Sequence, residues 1–163
     1  MEYIKIKHIY DFISLVVNLT FVYGVVVIFT ENNVYILFGL FLTYVIQKFI
    51  KIMTKGWNPK IFKRPDSARD TSALNTGGYS GNNSGFPSGH TFAISYFIYY
   101  LILNDNSSFT SIDSLVKQSL ILLVAYARVR KRAHRTIQVI AGYFFGLFLA
   151  YAMVNLQNYS VFF

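Results

Sequence analysis

Residues 137–154 read IQVIAGYFFGLFLAYAMV, eighteen positions with no charge and a single amide, Gln138, near the start. The hydrocarbon core of a bilayer is about 30 Å thick and takes about 20 helical residues to cross, with ~17 still ordinary. The stretch therefore predicts a membrane-crossing helix. Within it, Gly142-x-x-x-Gly146 sets two small residues four apart, a spacing that lets helices approach closely in lipid.

Moving outward from this segment, four more apolar stretches precede it. Residues 12–30 form one, interrupted by Asn18. Residues 34–46 form the next and run on through Gln47 and Lys48 into the mixed stretch 49–53. The other two are residues 90–103 and roughly 115–127, both short enough to need flanking residues to span. The expected fold is all-α: one domain over residues 1–163, built as a multi-pass transmembrane bundle of about five helices. Composition agrees, because 54% of the 163 residues are hydrophobic, 18% aromatic and only 13% charged, where a soluble domain carries about 25% charged residues. Reading the short stretches as buried helices of a soluble fold leaves too little polar surface to solvate it. The first stretch is long for a signal-peptide core and no small-residue cleavage site follows it, so a retained span is expected there. The chain has no cysteine, which excludes disulfides, thiolate metal sites and cysteine nucleophiles.

If all five stretches span, the N-terminus and the connections 51–88 and 128–135 share one face. That face carries fourteen of the fifteen Lys and Arg residues, and Lys117 is alone on the other. The positive-inside rule would turn the basic face to the cytosol. An anionic substrate bound there would account for the same charges. The net charge of +8 lies too close to the spans to argue for nucleic acid. The middle of the long connection, TSALNTGGYSGNNSG (71–85), is rich in Gly, Ser and Asn, and a flexible loop is expected over 66–86.

Three segments on the basic face carry chemistry: Lys55-Gly-Trp-Asn-Pro-Lys-Ile-Phe-Lys-Arg64-Pro65-Asp66, Phe86-Pro87-Ser88-Gly89-His90-Thr91, and Ala127-Arg128-Val-Arg-Lys-Arg-Ala-His134-Arg-Thr-Ile-Gln138. Pro87-Ser88 reads as a helix entry with Ser88 as capping side chain. The free N–H groups and dipole of such a helix end attract an anion. Gly89 would let the anion approach the backbone, and His90 at its mouth could protonate a leaving oxygen. Arg128 can hold phosphate oxygens bidentately. His134 and Gln138, four apart, lie on one helical face. An acceptor at 138 can take the Nδ1–H of His134 and leave Nε2 free to attack phosphorus.

In order and spacing, these segments resemble the type 2 phosphatidic acid phosphatase family, which includes bacterial acid phosphatases and vanadium haloperoxidases. The family pattern is Lys-x6-Arg-Pro, then Pro-Ser-Gly-His, then Ser-Arg-x5-His-x3-Asp. This chain matches Arg64-Pro65, Pro87-Ser88-Gly89-His90 and Arg128-x5-His134. The motif region runs over 55–138. The resemblance implies a lipid phosphate phosphatase working at one membrane interface. His134 would be the nucleophile that forms a phosphohistidine, and His90 the general acid. Arg64, Arg128, Ser88, Gly89 and a motif lysine would hold the phosphate. It implies no metal and no other cofactor, with a lipid phosphate and membrane lipids as partners and no nucleic acid. The endoplasmic reticulum or the plasma membrane is the expected location.

The chain departs from the pattern at four points. Trp57 stands at the motif-lysine position; Lys55 is the expected replacement, through a local insertion, with Lys60 and Lys63 lying later. Ala127 replaces the motif serine. Gln138 replaces the motif aspartate and brings no negative charge; glutamine here is also similar to the dolichyl-diphosphate phosphatase branch, so a polyprenyl or dolichyl diphosphate stands beside phosphatidate as expected substrate. The family core commonly has six helices where five are visible, implying a shortened N-terminal half. Two other readings stay open: a catalytically weakened relative that binds lipid phosphates, and a lipid phosphotransferase.

Overall fold

The computed structural model describes residues 9–31, 33–72 and 78–160. His8 and the centre of the Gly/Ser/Asn-rich connection lie outside them. The described residues form five helices and no strand: α1 (Ile9–Glu31), α2 (Val34–Met53), α3 (Gly89–Asn104), α4 (Ile112–Arg130) and α5 (Thr136–Ser160). The expected all-α bundle of five helices is what the chain adopts. Three of them, α1, α2 and α5, are long and apolar enough to cross a membrane.

The helix ends follow local chemistry. Asn33 caps α2, its Oδ1 accepting from Tyr35 N at 3.1 Å. Ser111 caps α4, accepting from Ser114 N at 3.2 Å, with Asp113 in the first turn and Arg128 and Arg130 in the last, where charges of those signs complement the helix dipole. The expected cap at Ser88 is not made. Its side chain bonds no backbone N–H at the start of α3, and its hydroxyl accepts from Thr91 Oγ1 instead, at 3.1 Å.

Helix α3 is the axis of the bundle and packs against all four others. Eleven of its sixteen residues are buried, as expected for a helix without a solvent or lipid face. The outer helices turn Val22, Val26 and Phe29 (α1), Phe41 and Phe49 (α2), Leu122 (α4), and Phe144 and Phe148 (α5) outward. This apolar surface suits hydrocarbon. The closest packing is between α3 and α5. A Cβ on Gly146 would sit 2.5 Å from Ser95 Cβ and 2.6 Å from Tyr96 N, and one on Gly142 would sit 2.7 Å from the Ser88 carbonyl oxygen. The Gly-x3-Gly pair thus forms a seam on which the two backbones touch, holding the N-terminal ends of α3 and α5 side by side.

At 1.5 Å per residue, α3 is about 24 Å long, short of a bilayer core. The described parts of the connection between α2 and α3, residues 54–72 and 78–88, pack against its N-terminal end. Composition suggests flexibility there, yet the described flanks are zipped together: Arg64 N to Asn83 O (3.1 Å), Gly85 N to Phe62 O (2.7 Å), Ser80 N to Ala68 O (2.9 Å) and Asp70 N to Gly78 O (2.8 Å). Edge-on ring contacts Phe62–Phe86 (5.0 Å) and Phe86–Phe145 (6.3 Å) fasten this strap to α5. At the other end of the bundle, the Tyr100 hydroxyl meets Asn33 Oδ1 (2.9 Å) and Gln157 Oε1, and Tyr96 donates to the Tyr35 carbonyl at 2.9 Å. Polar groups inside a membrane bundle need such internal partners.

Candidate active site

His134 lies in the short turn between α4 and α5, and His90 in the first turn of α3. The seam between α3 and α5 brings these two points together, and both side chains border one cavity of about 680 Å³. Arg64 reaches the same wall from the strap.

The hydrogen bonds fix the tautomer of His134. Its Nδ1 lies 2.9 Å from the Gly85 carbonyl oxygen, which can only accept, so Nδ1 carries the proton. Its Nε2 lies 3.1 Å from Arg64 Nη1, which can only donate, so Nε2 presents its lone pair. Burial pushes the pKa of His134 well below the ordinary histidine value, and the positive charges of Arg64, Arg128 and Lys51 push the same way, with His90 adding to them. The ring is neutral, with a lone pair aimed at a guanidinium inside a cavity. Arg64 Nη1 also donates to the Ala133 carbonyl at 2.7 Å, and burial lowers the Arg64 pKa to about 10. Among the described residues, Arg64 Nε, Arg128 Nε and His90 Nε2 are buried without a hydrogen-bond partner. Buried polar atoms are seldom left so, and the two that belong to residues lining the cavity, on Arg64 and His90, leave room for an anion and its leaving group to satisfy them.

Gln138 sits where the sequence expects it but acts differently. Its Oε1 is 3.3 Å from His134 Nδ1, farther than the Gly85 carbonyl, and it accepts from Arg135 N at 3.1 Å. Its Nε2 points among the carbonyls of Ile61 (2.9 Å), Phe62 (3.2 Å) and Lys63 (2.9 Å). Its backbone carbonyl accepts from Ser88 N at 2.9 Å. One residue thus ties together all three motif segments. Gly85 presents its carbonyl from within this packing, and a Cβ there would meet Gln138 Oε1 at 2.4 Å.

The remaining expected residues are distributed unequally. Lys55 is exposed and lines the cavity near Ser84 and Asn83. Arg128 is wholly buried, and it donates Nη1 to Ser14 Oγ and Nη2 to the Thr71 carbonyl, both at 3.1 Å. The cavity lining reaches Thr71 but does not include Arg128. Ser88 is fully buried and likewise is not part of that lining. Gly89 does line the cavity, but its missing side chain makes room for the Gln47 amide: a Cβ would lie 2.1 Å from Gln47 Oε1.

Gln47 leads to the residue that sequence reading missed. Lys51, half-buried on the cavity wall, donates Nζ to Gln47 Oε1 at 2.5 Å. The motif spacing pointed past it, yet a signal was present. Helix α2 runs unbroken to Met53, so Tyr44, Lys48 and Lys51 fall at helical intervals and line the cavity, joined by Lys55 from the turn just past the helix end. The opposite wall comes from the strap, with Ser80, Asn82, Asn83 and Ser84. Asp66 pairs with Lys63 at 3.1 Å, and Asp11 with Lys131 at 2.5 Å.

The family model of the PAP2 superfamily matches residues 32–162, a span containing every element of this cavity except α1. No curated protein and no solved structure matches the chain.

Proposed function

The chain belongs to the PAP2 superfamily, whose members are phosphatases, and from this premise we propose that it hydrolyses a lipid phosphate or diphosphate through a phosphohistidine. The observation that carries this reading is the fixed tautomer of His134: Nδ1–H on the Gly85 carbonyl and the Nε2 lone pair facing Arg64, at a wall shared with His90 and Lys51.

In the proposed reaction, Arg64 and Lys51 hold the non-bridging oxygens. Nε2 of His134 attacks phosphorus and the P–O bond to the lipid breaks. The leaving oxygen keeps the electron pair and takes a proton from His90, which enters the step as an imidazolium held in its charged form by the negative charge of the bound phosphate, and whose buried Nε2 is unpartnered among the described residues. Neutral His90 then removes a proton from water as it attacks phosphorus. The P–N bond breaks, its electron pair returns to His134, and phosphate departs. The work is positioning and charge stabilisation, which is what phosphoryl transfer chiefly demands. No metal is assigned a part in it. Lys48 and Lys55 beside the same cavity supply more positive charge than one phosphate needs, which supports a diphosphate head, as in a polyprenyl or dolichyl diphosphate, over phosphatidate. The cationic end of the bundle would lie at a membrane interface, in the endoplasmic reticulum or the plasma membrane.

The test is phosphate release by detergent-purified protein from phosphatidate and from polyprenyl mono- and diphosphates, with a chelator present. His134→Ala should abolish it, and His90→Ala should slow it by about 10²–10⁴-fold, the usual worth of a positioned acid–base group. Lys51→Ala should cost about 10²–10³-fold, in the range seen for one preorganised charge donor, and more than Lys55→Ala. Full activity in the His134→Ala protein would end this reading.

A further inference from the structure

Lys51 stands in a crowd of cations. Lys48, Lys55 and Arg64 line the same cavity, and no Asp or Glu is among its described lining residues. Like charges gathered in one space repel each other, and a lysine is a flexible stem that readily carries its ammonium out to water. Lys48 and Arg64 are each held by another contact: Lys48 Nζ lies over the Tyr44 ring, 5.4 Å from its centroid, and Arg64 Nη1 donates to the Ala133 carbonyl at 2.7 Å. Lys51 Nζ has one hydrogen-bond partner among the described residues, Gln47 Oε1 at 2.5 Å. The two residues are four apart on α2, where side chains meet on one face. The Gln47 amide is in turn lodged against Gly89, the first residue of α3. A Cβ on Gly89 would lie 2.1 Å from Gln47 Oε1 and 2.8 Å from its Nε2.

We infer that Gln47 is the positioning residue for Lys51: its amide oxygen fixes the ammonium at the phosphate site, and Gly89 leaves the space in which that amide sits. The inference rests on the proposed reading of the cavity as a phosphate site. A carboxylate at 47 would hold the lysine too, but it would cancel the positive charge that a phosphate needs and set a second negative group beside the anion. A neutral carbonyl oxygen holds the ammonium and leaves its full charge in place. An ammonium has three donors; one goes to Gln47 and two remain for non-bridging oxygens. The pair on α2 thus delivers a cation that the loop does not, since Trp57 occupies the motif-lysine position. Gly89 serves the anion indirectly, by making room for a side chain of the neighbouring helix.

The experiment measures, by calorimetry, the affinity of the detergent-purified full chain for inorganic phosphate in Gln47→Met, Lys51→Met and the double variant. Methionine is a good helix former of similar length, without the amide acceptor or the charge. Each single variant should bind phosphate about tenfold more weakly or worse, as for a lost hydrogen bond to a charged group. The double variant should bind no more weakly than Lys51→Met alone. A residue that merely packs α2 against α3 gives losses that multiply in the double variant; that result overturns the inference, as does unchanged affinity in either single variant. Gly89→Ala displaces only the far end of a flexible side chain. It should reproduce the loss seen in Gln47→Met and add nothing once Lys51 is methionine; a loss that persists there means the glycine serves the anion directly and refutes the assignment. Gln47→Glu keeps the acceptor and the fit, so it covers the case in which Gln47→Met does not fold. It too should bind phosphate about tenfold more weakly, and undiminished affinity sinks the inference. If the unaltered chain binds phosphate yet releases none from any lipid, the phosphatase reading fails and the variants still decide the role of Gln47. A chain that binds no phosphate ends both.

Discussion

Gln138 is the residue whose letter says least about its work. A single-site comparison with the family aspartate suggests that Gln138→Asp would restore a missing charge and raise activity. The geometry predicts the opposite. Nε2 of Gln138 donates among three carbonyl oxygens at 2.9–3.2 Å; an aspartate, one methylene shorter and without a proton to give, would leave those carbonyls without their donor and a carboxylate buried beside them. Leaving such groups unsatisfied costs about 1–3 kcal/mol and more for a charge. Gln138→Asp should therefore lower both the melting temperature and the rate of phosphate release, and a rate gain would show that the carbonyls can turn away. A second residue-level prediction concerns His134, whose pKa is held below the ordinary value in the folded protein. Below the unfolded pKa of about 6.5, the unfolded chain binds a proton that the folded site refuses, so stability present above that pH is lost as pH falls. Thermal unfolding in detergent should drop between pH 7 and pH 5, and drop less in His134→Gln. His90, His134 and Arg64 were legible in the sequence because Pro87-Ser88-Gly89-His90, Arg128-x5-His134 and Arg64-Pro65 keep their family spacing. The Gly85 carbonyl was not, because a backbone oxygen has no letter. Lys51 was missed because motif spacing counts residues along a loop, while its place depends on the angular register of α2.

At the scale of the elements, apolar runs announced all five helices, and the errors are at their ends. Helix α1 begins at Ile9 rather than 12 and α5 continues to Ser160 rather than 154. No proline or glycine interrupts the mixed sequence NLQNYS, and Asn155 Nδ2 turns back to the Tyr151 carbonyl at 2.8 Å. Gly142 and Gly146 were legible as a packing motif, but their partner was not, since the pattern names one helix and leaves the other unspecified. The partner proves to be α3, and that contact is what sets His134 beside His90. Gly146→Leu drives a side chain into Ser95 Cβ and the Tyr96 backbone, which cannot retreat as a flexible side chain could. Overpacking of this kind costs about 1–3 kcal/mol or more. The variant should melt at lower temperature and lose phosphate release even though it changes no group in the cavity. Unaltered turnover would mean that the seam does not govern the site.

For the molecule as a whole, hydropathy gave an all-helical bundle of five helices, which the described residues form, and the family match over 32–162 spans four of them. Which charges meet was beyond a one-dimensional reading, because it depends on how the strap folds: Arg64 is 70 residues from His134 along the chain and 3.1 Å from it in space. The cavity gathers Lys48, Lys51, Lys55 and Arg64, and no Asp or Glu is among its described lining residues. Such a one-sided cage favours any phosphate, a cleaved product as much as a substrate. Under the proposed phosphatase reading, the site would be throttled by its own end product. Added inorganic phosphate should inhibit competitively, and rapid mixing should reveal a fast first turnover followed by a slower steady rate set by departure of the anion. Both effects should weaken as salt screens the lysines. In a cell, the pace of lipid dephosphorylation would then follow the surrounding phosphate level without any separate regulator.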